Sequence, residues 1–405
     1  MQHGKLKFLK INLMACLLLP TLSYASFIET TIGTAVVNDA TAAYYNPAAL
    51  TLLPNAQIIP LLTVSRFQTK FNGQSTVVPT NFTQRGAASS VSYYYSPSFY
   101  FAMPVTNRMT FGLAAISNFA NRNFEDNSIL RYVQSSNTIQ DYDLVPALGF
   151  KINNYVSVGA GVNLSYTKMH LEPNVGFPGS NVADSQSSNQ SEGSGVGANA
   201  GFLLKPKEGT LLGFNYRTIT TYRENGTSRL SGAAELTSNN YRFQLRTPAR
   251  SVFTISQLLT PTVGLITTIQ RMQWGMIRNI KIYDLATLVG NAPVIINATV
   301  PYYLRDTWIL TFGGHYRFKP NWIARIAATY NQSPSNGHYQ ISTGDSYILG
   351  ASLGYQINKT ITLDCSYAHA FIKDESIQIA GNRYIINGNN QASRDAVSLK
   401  LTWNV

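Results

Sequence analysis

The chain has 405 residues, of which 12% are charged and 12% aromatic, and its formal net charge is +12 at pH 7. Beyond the N-terminus no run approaches about eighteen consecutive apolar residues, which excludes a bundle of membrane-spanning helices. The positive charge comes without a recognisable recognition motif, so we expect no nucleic-acid partner.

The N-terminus predicts a secretory signal peptide over residues 1–25. Lysines precede an apolar run at 11–22, and Ser23-Tyr24-Ala25 offers a small-x-small cleavage site. The alternative is an uncleaved anchor. Cleavage would remove Cys16 and leave Cys365 alone, so we expect no intrachain disulfide.

Residues 26–54 are not strand-like, and they contain Asn46-Pro47 among small residues. Proline fixes φ and lacks a donor, while asparagine readily bonds neighbouring backbone. The pair predicts a sharp turn, and the small neighbours suit packing inside a barrel. The alternative is an ordinary turn into the first strand.

From residue 55 onwards about fourteen strand-like runs follow, each of about 10–15 residues. Their connections alternate between tight turns, such as Pro104–Asn107 and Thr260–Thr262, and long stretches, such as 170–192 and 275–304. This rhythm is typical of an outer-membrane barrel with periplasmic turns and extracellular loops. We therefore predict an all-β, antiparallel transmembrane β-barrel over residues 55–405.

The last strand shows how the two faces of such a barrel differ. Val397, Leu399 and Trp403 fall on one face, and Ser398 and Lys400 fall on the other. Side chains alternate at period two, so the apolar face is expected to meet lipid and the polar face the lumen.

The connection at residues 275–304 is unusually apolar for an exterior loop. The spacing of Ile277, Ile280, Tyr283 and Leu288 predicts a short amphipathic helix. An exposed apolar surface of this kind indicates a ligand groove or a partner site, so Met276, Ile277, Ile280 and Tyr283 are candidate ligand-binding residues. The alternative is that the loop folds onto its neighbours.

Enzyme chemistry finds little support in the sequence. The histidines include no pair at metal-ligand spacing, and we expect neither a metal nor a cofactor. A barrel lipase would need a serine beside a histidine such as His315, an arrangement that spacing alone leaves open. We predict no catalytic residues.

Several motifs together resemble the FadL/TodX family of outer-membrane transporters. Gly33-Thr34-Ala35, Asp39-Ala40 and Asn46-Pro47-Ala48 occur in the order found in that family's N-terminal plug, or hatch. Residues 143–154, 305–334, 346–350 and 367–369 resemble its strands and loops. The resemblance therefore covers most of the chain beyond the signal peptide.

The resemblance implies a monomeric, fourteen-stranded barrel in the bacterial outer membrane, plugged by residues 26–54. Its ligands would be long-chain fatty acids or aromatic hydrocarbons, moving without nucleotide or cofactor from an outer groove to an inner pocket and out through the wall. The candidate gating residues are Gly33, Asp39, Asn46, Pro47 and Ala48. The plug is shorter than in better-known members, whose N-terminus reaches the inner pocket.

Lys168 stands near the position where the family has a basic residue that contacts the ligand carboxylate. Simple alternation places it on the same face as Val162, Leu164 and Tyr166, towards lipid. Either a bulge turns it inward to bind ligand, or its amine reaches the interface.

The sequence thus favours an outer-membrane transporter of hydrophobic small molecules, most simply long-chain fatty acids. The alternatives are a transporter of aromatic hydrocarbons, a barrel acting mainly as a surface receptor or adhesin, and a pore for polar solutes.

Overall fold

The computed structural model describes residues 34–78, 80–122, 128–133, 136–176, 183–290, 292–335, 337–381 and 383–405. The expected signal peptide and Gly33 lie outside the described residues. Within the described ranges, no helix has the length and apolar character needed to cross a lipid bilayer.

Nearly all regular structure in the described residues is β-strand. The strands are β1 (Gln57–Val77), β2 (Phe82–Pro104), β3 (Met109–Arg122), β4 (Ser136–Lys151), β5 (Val156–Glu172), β6 (Asn174–Val175), β7 (Ser185–Lys207), β8 (Thr210–Arg217), β9 (Thr220–Ser231) and β10 (Leu236–Thr247). They continue with β11 (Arg250–Leu258), β12 (Val263–Met272), β13 (Asn279–Val289), β14 (Ala292–Pro301), β15 (Thr307–Lys319), β16 (Trp322–Asn331), β17 (Ser346–Gln356), β18 (Ile361–Ile372), β19 (Glu375–Ala380) and β20 (Tyr384–Asn404).

These strands form a closed antiparallel barrel with fourteen strand positions. Strands β8 and β9 are two segments of one wall strand that is interrupted midway, and β10 and β11 are two segments of the next wall strand. The last strand closes on the first through a ladder from Gln57↔Asn404 to Val77↔Tyr384. The predicted fold class and strand number are confirmed.

The two faces of the wall differ as the period-two pattern predicts. In β20, Val397, Leu399 and Trp403 are exposed on the outside, whereas Ser398 and Lys400 are buried in the lumen. An apolar exterior and a polar interior are what a barrel surrounded by lipid requires.

The strands run further than the sequence predicts. Both β2 and β7 have 23 residues, and much of the expected loop at 170–192 continues as paired strand. The hairpin of β9 and β10 likewise extends the wall beyond the predicted length. Backbone pairing satisfies the same donors and acceptors above the membrane as within it, so polar composition does not end a ladder.

The predicted helix in residues 275–304 is wrong. The segment holds a single turn of 3₁₀ helix at Trp274–Met276 and then the hairpin of β13 and β14, paired from Asn279↔Pro301 to Val289↔Ala292. Buried Ile280 and Ile282 flank exposed Lys281. Burial therefore alternates with a period of two, as in a β-strand.

This hairpin belongs to the wall as well as to the loop, because β13 pairs with β10 at Arg242↔Tyr283 and Phe243↔Ile282. Below that contact β10 gives way to β11 at Pro248, which has no backbone N–H to donate. Its neighbour is interrupted at the same height, where the Thr220 N–H donates to Thr247 Oγ1 at 3.3 Å. The fold therefore has a discontinuity across two adjacent strand positions.

Candidate functional site

Residues 34–54, which we call the N-terminal segment, are largely buried against the inner face of the wall. The segment has one short helix, α1 (Ala42–Tyr45), followed by a 3₁₀ helix at Pro47–Leu52. Asn46 separates them in extended backbone, and its side chain accepts a hydrogen bond from the Ala48 N–H at 3.2 Å. The sharp turn predicted for Asn46-Pro47 is present.

Asn46 also holds the segment to itself and to the barrel. Its Nδ2 donates to the carbonyl of Ala35 at 2.7 Å and to the carbonyl of Phe202, on β7, at 3.2 Å. The residue has 0% exposure, so these bonds are made away from bulk water, where a missing partner is costly.

A row of three glycines makes room for this turn. Gly149, Gly159 and Gly201 pair directly across β4, β5 and β7. A Cβ added at these glycines would collide with Pro47 O, Ala48 N and Asn46 Oδ1, respectively. The wall is thus shaped to the Asn46-Pro47-Ala48 turn.

On the opposite side of the lumen the segment is held by charge. Lys400 Nζ donates to Asp39 Oδ2 at 2.9 Å and lies 3.6 Å from Asp364 Oδ2. Asp364 Oδ1 in turn accepts from Arg325 Nη1 at 2.7 Å. These two acids and two bases form a buried network that joins the N-terminal segment to β16, β18 and β20.

The protonation of Asp39 reflects this network. Burial alone would raise the pKa of the carboxyl group, but the Lys400 ammonium and the hydrogen bonds from Thr41 and Lys400 outweigh it. The pKa of Asp39 therefore lies below its ordinary value, and the ionised form is favoured.

Two arginines face the end of α1. Arg217 on β8 and Arg250 on β11 are direct cross-strand partners, which we call the arginine pair. The Arg217 guanidinium stacks 3.8 Å from the Tyr44 ring centroid and donates from Nη2 to the Tyr44 carbonyl at 2.8 Å. The Arg250 guanidinium lies 5.9 Å from the ring centroids of Tyr44 and Tyr45.

Acidic residues face the same region from β4. Burial raises the pKa of the Tyr44 hydroxyl, the Arg217 charge opposes this rise, and the carboxylates of Asp143 and Asp141 add to it. The space beside Tyr44 therefore lies between a basic and an acidic part of the wall.

Beyond the N-terminal segment, towards the long-loop end, the lumen is filled by a large group of apolar side chains, which we call the outer apolar cluster. Its members are Ile139, Met169, Leu171, Tyr222, Tyr241, Phe243, Leu245, Met272, Trp274, Ile277, Ile280, Ile282, Leu285, Ala298, Val300, Tyr302 and Leu304. Hairpin and wall strands both contribute, so the hairpin packs against the inside of the wall at this end of the barrel.

The four loop residues singled out from the sequence lie together here, but they are not exposed as expected. Ile277 and Ile280 are 4% and 3% exposed, and Met276 packs against the cluster while partly buried. With Tyr283 they border a cavity of about 630 Å³ between β10 and the start of the hairpin. The loop folds onto its neighbours, and because its residues also border a cavity, their role in ligand binding stays a prediction.

A smaller cavity of about 360 Å³ lies at the short-turn end of the barrel. It is bordered by Leu53 and Pro54 of the N-terminal segment and by the turn at residues 105–108. The N-terminal segment therefore lies between this cavity and the outer apolar cluster.

The inward position considered for Lys168 is wrong. The pairing of β5 with β7 runs from Val156↔Leu204 to Leu171↔Asn189 without a register shift, so no bulge changes the phase. Lys168 is exposed on the outer face opposite Glu192. It does not face the lumen.

The ladder between β2 and β3 has a short interruption. Pairing stops after Tyr95↔Phe119 and resumes at Ser98↔Ile116 in the same register. Pro97 lies in the gap and cannot donate a backbone hydrogen bond. Across it the Ser96 hydroxyl donates to Asn118 Oδ1 at 2.8 Å.

The glycine row, the arginine pair and the buried ionic network escape sequence reasoning, because each depends on register between strands far apart in the chain. The detectable signal was glycine at lumen-phase positions. Gly149 follows outward Leu148, and Gly159 follows outward Val158. An inward glycine in a strand often marks close approach of another backbone.

Comparison with known proteins agrees with this architecture. The family model described as "Outer membrane protein transport protein (OMPP1/FadL/TodX)" matches residues 15–404. A search of curated proteins found no match.

Three solved structures illustrate the likeness of fold. A Pseudomonas aeruginosa FadL homologue is 19% identical, with a TM-score of 0.81, over 92% of this chain and 96% of that one. The Ralstonia pickettii toluene transporter TbuX and the Pseudomonas putida toluene transporter TodX are each 14% identical, with TM-scores of 0.69, over 93% of this chain and 97% of theirs. At such identities these likenesses show the fold alone.

The family match covers nearly the whole chain, and the fold is the closed barrel of that family. The chain therefore belongs to the OMPP1/FadL/TodX family of outer-membrane transport proteins for hydrophobic compounds.

Proposed function

We propose that this protein carries long-chain fatty acids across the outer membrane by passive diffusion, with the N-terminal segment as a movable plug. The observation that carries the proposal is the arginine pair beside Tyr44. Two like charges directly opposed across a ladder repel each other, and a ligand carboxylate between them would form strong charge-assisted bonds. An uncharged hydrocarbon has no group that uses these charges.

The apolar part of such a ligand also has a place. The outer apolar cluster adjoins the cavity of about 630 Å³, where Met276, Ile277, Ile280 and Tyr283 are the proposed first contacts. An acyl chain passing inward from them would remain among apolar side chains until its carboxylate met the arginine pair.

Release of the ligand from the lumen requires the plug to move. We assign this role to residues 26–54, with Asp39, Asn46, Pro47 and Ala48 as gating residues and Gly33 as a further candidate. Asp39 and Asn46 tie the segment to opposite sides of the lumen. The interruption of the β2–β3 ladder at Pro97 is the proposed sideways exit, because few backbone bonds have to break there.

The same proposal includes residues 1–25 as a signal peptide, residues 55–405 as the barrel, a monomer surrounded by outer-membrane lipid, and transport without covalent chemistry. Ligand would move down its own concentration gradient. The plug is held by hydrogen bonds and one ionic network, which ligand binding can weaken.

The test measures uptake of labelled oleate and of labelled toluene by bacteria that lack their own transporter and express this chain. Replacing the arginine pair (Arg217→Gln with Arg250→Gln) should weaken oleate uptake at low concentration by about 10- to 150-fold, the value of hydrogen bonds to a charged group. Toluene uptake should not fall. Lys205→Gln with Lys207→Gln, exposed at a short turn, controls for lost charge.

Asn46→Ala provides a second comparison, because it alters the plug and leaves the arginine pair in place. Oleate uptake that changes in Asn46→Ala at equal surface expression supports plug gating. A folded barrel that takes up toluene but no oleate would refute the fatty-acid proposal. Equal oleate uptake by wild type and the arginine variant would show that the arginine pair does not bind the ligand carboxylate.

The second candidate ligand class is aromatic hydrocarbons. It is favoured by the similar folds of proteins described as toluene transporters. The receptor or adhesin alternative rests on the outer loops in general, and one apolar surface that it could have used, the hairpin of β13 and β14, is mostly buried.

A further inference from the structure

A group of cations lies on the outside of the barrel, at the rim of the cavity of about 630 Å³, and the proposed route through the lumen assigns it no role. Strands β9 and β10 expose Arg223, Arg242 and Arg246 on their outer face, and Arg278 and Lys281 are exposed across the cavity from them. We call these five residues the cationic patch.

The pairing of β9 with β10 sets the spacing of the three arginines. Gln244 is the direct partner of Arg223, and Arg242 is the partner of Asn225. Arg242 and Arg246 are therefore diagonal neighbours of Arg223, at roughly 7–8 Å between Cα atoms. Three guanidinium groups at this spacing can surround one phosphate or bridge two.

Few acidic groups neutralise this face among the described residues. Asp284 Oδ2 lies 3.9 Å from Arg242 Nη2, a long contact between largely exposed side chains. Glu192 on β7, opposite Asn225, already accepts a hydrogen bond from the Tyr166 hydroxyl at 2.7 Å. Five cations thus meet two carboxylates, and the face keeps a net positive charge.

The height of the patch on the barrel can be estimated from the strand. A rise of about 3.3 Å per residue at a tilt of about 40° gives roughly 2.5 Å of height per residue, so an apolar band about 25 Å tall takes about ten residues. Counting up from Leu258, beside a short turn, places the upper edge near Pro248. Arg246 and Arg242 come next above it.

The neighbouring strand gives the same result. Counting up from Thr210 places the edge near Thr220, just below Arg223. Phe253 and Ile255, below this edge on β11, expose apolar side chains on the outside. The wall therefore changes from apolar to basic at the strand interruptions, at the level of the outer-leaflet headgroups.

We propose that the cationic patch binds the phosphate groups of lipopolysaccharide in the outer leaflet, with the acyl chains of the same lipid against the apolar wall below. Arginine suits this task because its planar fork binds phosphate oxygens in pairs. A lipid fits better than a free anion because the basic and apolar surfaces are continuous along the same strands. The three strand arginines face away from the lumen, although they border the same cavity as the proposed first ligand contacts. The test therefore has to separate lipid binding from ligand capture.

The test is native mass spectrometry of the full-length protein in detergent, titrated with diphosphorylated lipid A. The patch variant carries Arg223→Gln, Arg242→Gln and Arg246→Gln. The control carries Lys205→Gln, Lys207→Gln and Lys319→Gln, which removes the same charge at the short turns. Heat-modifiable migration in gels confirms that each barrel is folded.

Each basic residue near an anionic membrane surface contributes about fivefold to binding. The patch variant should therefore bind lipid A roughly a hundredfold more weakly, and the control should bind like wild type. Dephosphorylated lipid A should bind wild type as weakly as intact lipid A binds the patch variant.

Equal binding by patch variant and control, or by the two forms of lipid A, would overturn the inference. So would a patch variant that binds lipid A normally but loses oleate uptake, since its arginines would then serve ligand capture. The two comparisons of lipid A binding do not depend on which compound the lumen carries.

Discussion

The close fit between the glycine row and the N-terminal segment makes Gly149→Ala a sensitive test of whether that segment is a plug. A Cβ at residue 149 would lie 2.5 Å from Pro47 O and 3.1 Å from Leu50 Cβ. Ordinary contact begins at 3.4 Å, so the turn must move by 3.4 − 2.5 = 0.9 Å. Added atoms of this kind in a well-packed interior cost about 1–3 kcal/mol.

If the segment has a seated and a displaced position, this cost falls on the seated one. A change of 1–3 kcal/mol raises the displaced population by about 5- to 150-fold. Single-channel recording in planar lipid bilayers measures that population as the frequency of opening. Ala160→Val is the matched control, because it adds carbon atoms on the exposed outer face of β5, opposite Leu148.

We expect frequent openings for Gly149→Ala and wild-type behaviour for Ala160→Val, with both barrels equally resistant to heat. Unchanged opening in a correctly folded Gly149→Ala barrel would refute the reasoning, since it would mean that the seated segment yields by almost 1 Å without cost. Loss of the folded barrel instead would mean that the segment is part of the barrel's core.

Three further predictions concern the ionic network and the hairpin. Lys400→Gln leaves the carboxylates of Asp39 and Asp364 buried without their shared cation, so thermal unfolding should show a loss of stability of about 3–5 kcal/mol. Adding Asp39→Asn should restore part of this stability. If stability is not restored, Asp39 and Lys400 are not paired. The pKa of Asp39 is lowered in the folded state, so its contribution to stability is complete above the ordinary pKa of 3.8 and is lost as pH falls through the lowered pKa. Acid-induced channel opening should therefore begin below pH 3.8 and be absent in Asp39→Asn. Ile282→Ala removes a fully buried side chain and should destabilise the outer apolar cluster by about 2–5 kcal/mol, seen as faster hydrogen exchange in β13, whereas Lys281→Ala should exchange like wild type.

The sequence could predict those features that recur along a single strand. The alternation in β20 and the order of tight and long connections sufficed for a fourteen-stranded barrel, because both follow from lipid outside and polar groups inside. The same alternation correctly put Lys168 on the outer face. Considering an inward Lys168 required a bulge, and a bulge has no dependable signal in a single strand.

The hairpin shows where single-strand reasoning fails. Ile277, Ile280, Tyr283 and Leu288 fit a helical period, yet Ile280 and Ile282 fit a strand period equally well in so short a segment. The choice was made by β10, whose edge is free to pair at Phe243 once β12 has ended. Phe243 lies more than thirty residues before Ile282 in the chain, so this pairing is beyond the reach of local spacing.

In the candidate site, the Asn46-Pro47 turn was predictable from the sequence, whereas the wall residues that hold the N-terminal segment were not. Asn46-Pro47 carries its own backbone geometry, so the turn could be identified directly. The partners of Asp39 could not, because Lys400 reaches it only through closure of β20 on β1. For the same reason, Arg217 and Arg250 become neighbours only through the register of β8 and β11.

The bond between Asp39 and Lys400 has a consequence for how the protein is built. It joins residues 361 positions apart, one near the start of the described chain and one in its last strand. Until β20 has met β1, the segment that fills the lumen lacks its ionic anchor. The barrel should therefore seal itself only in the final step of assembly, so that a half-inserted intermediate stays leaky while a finished one does not.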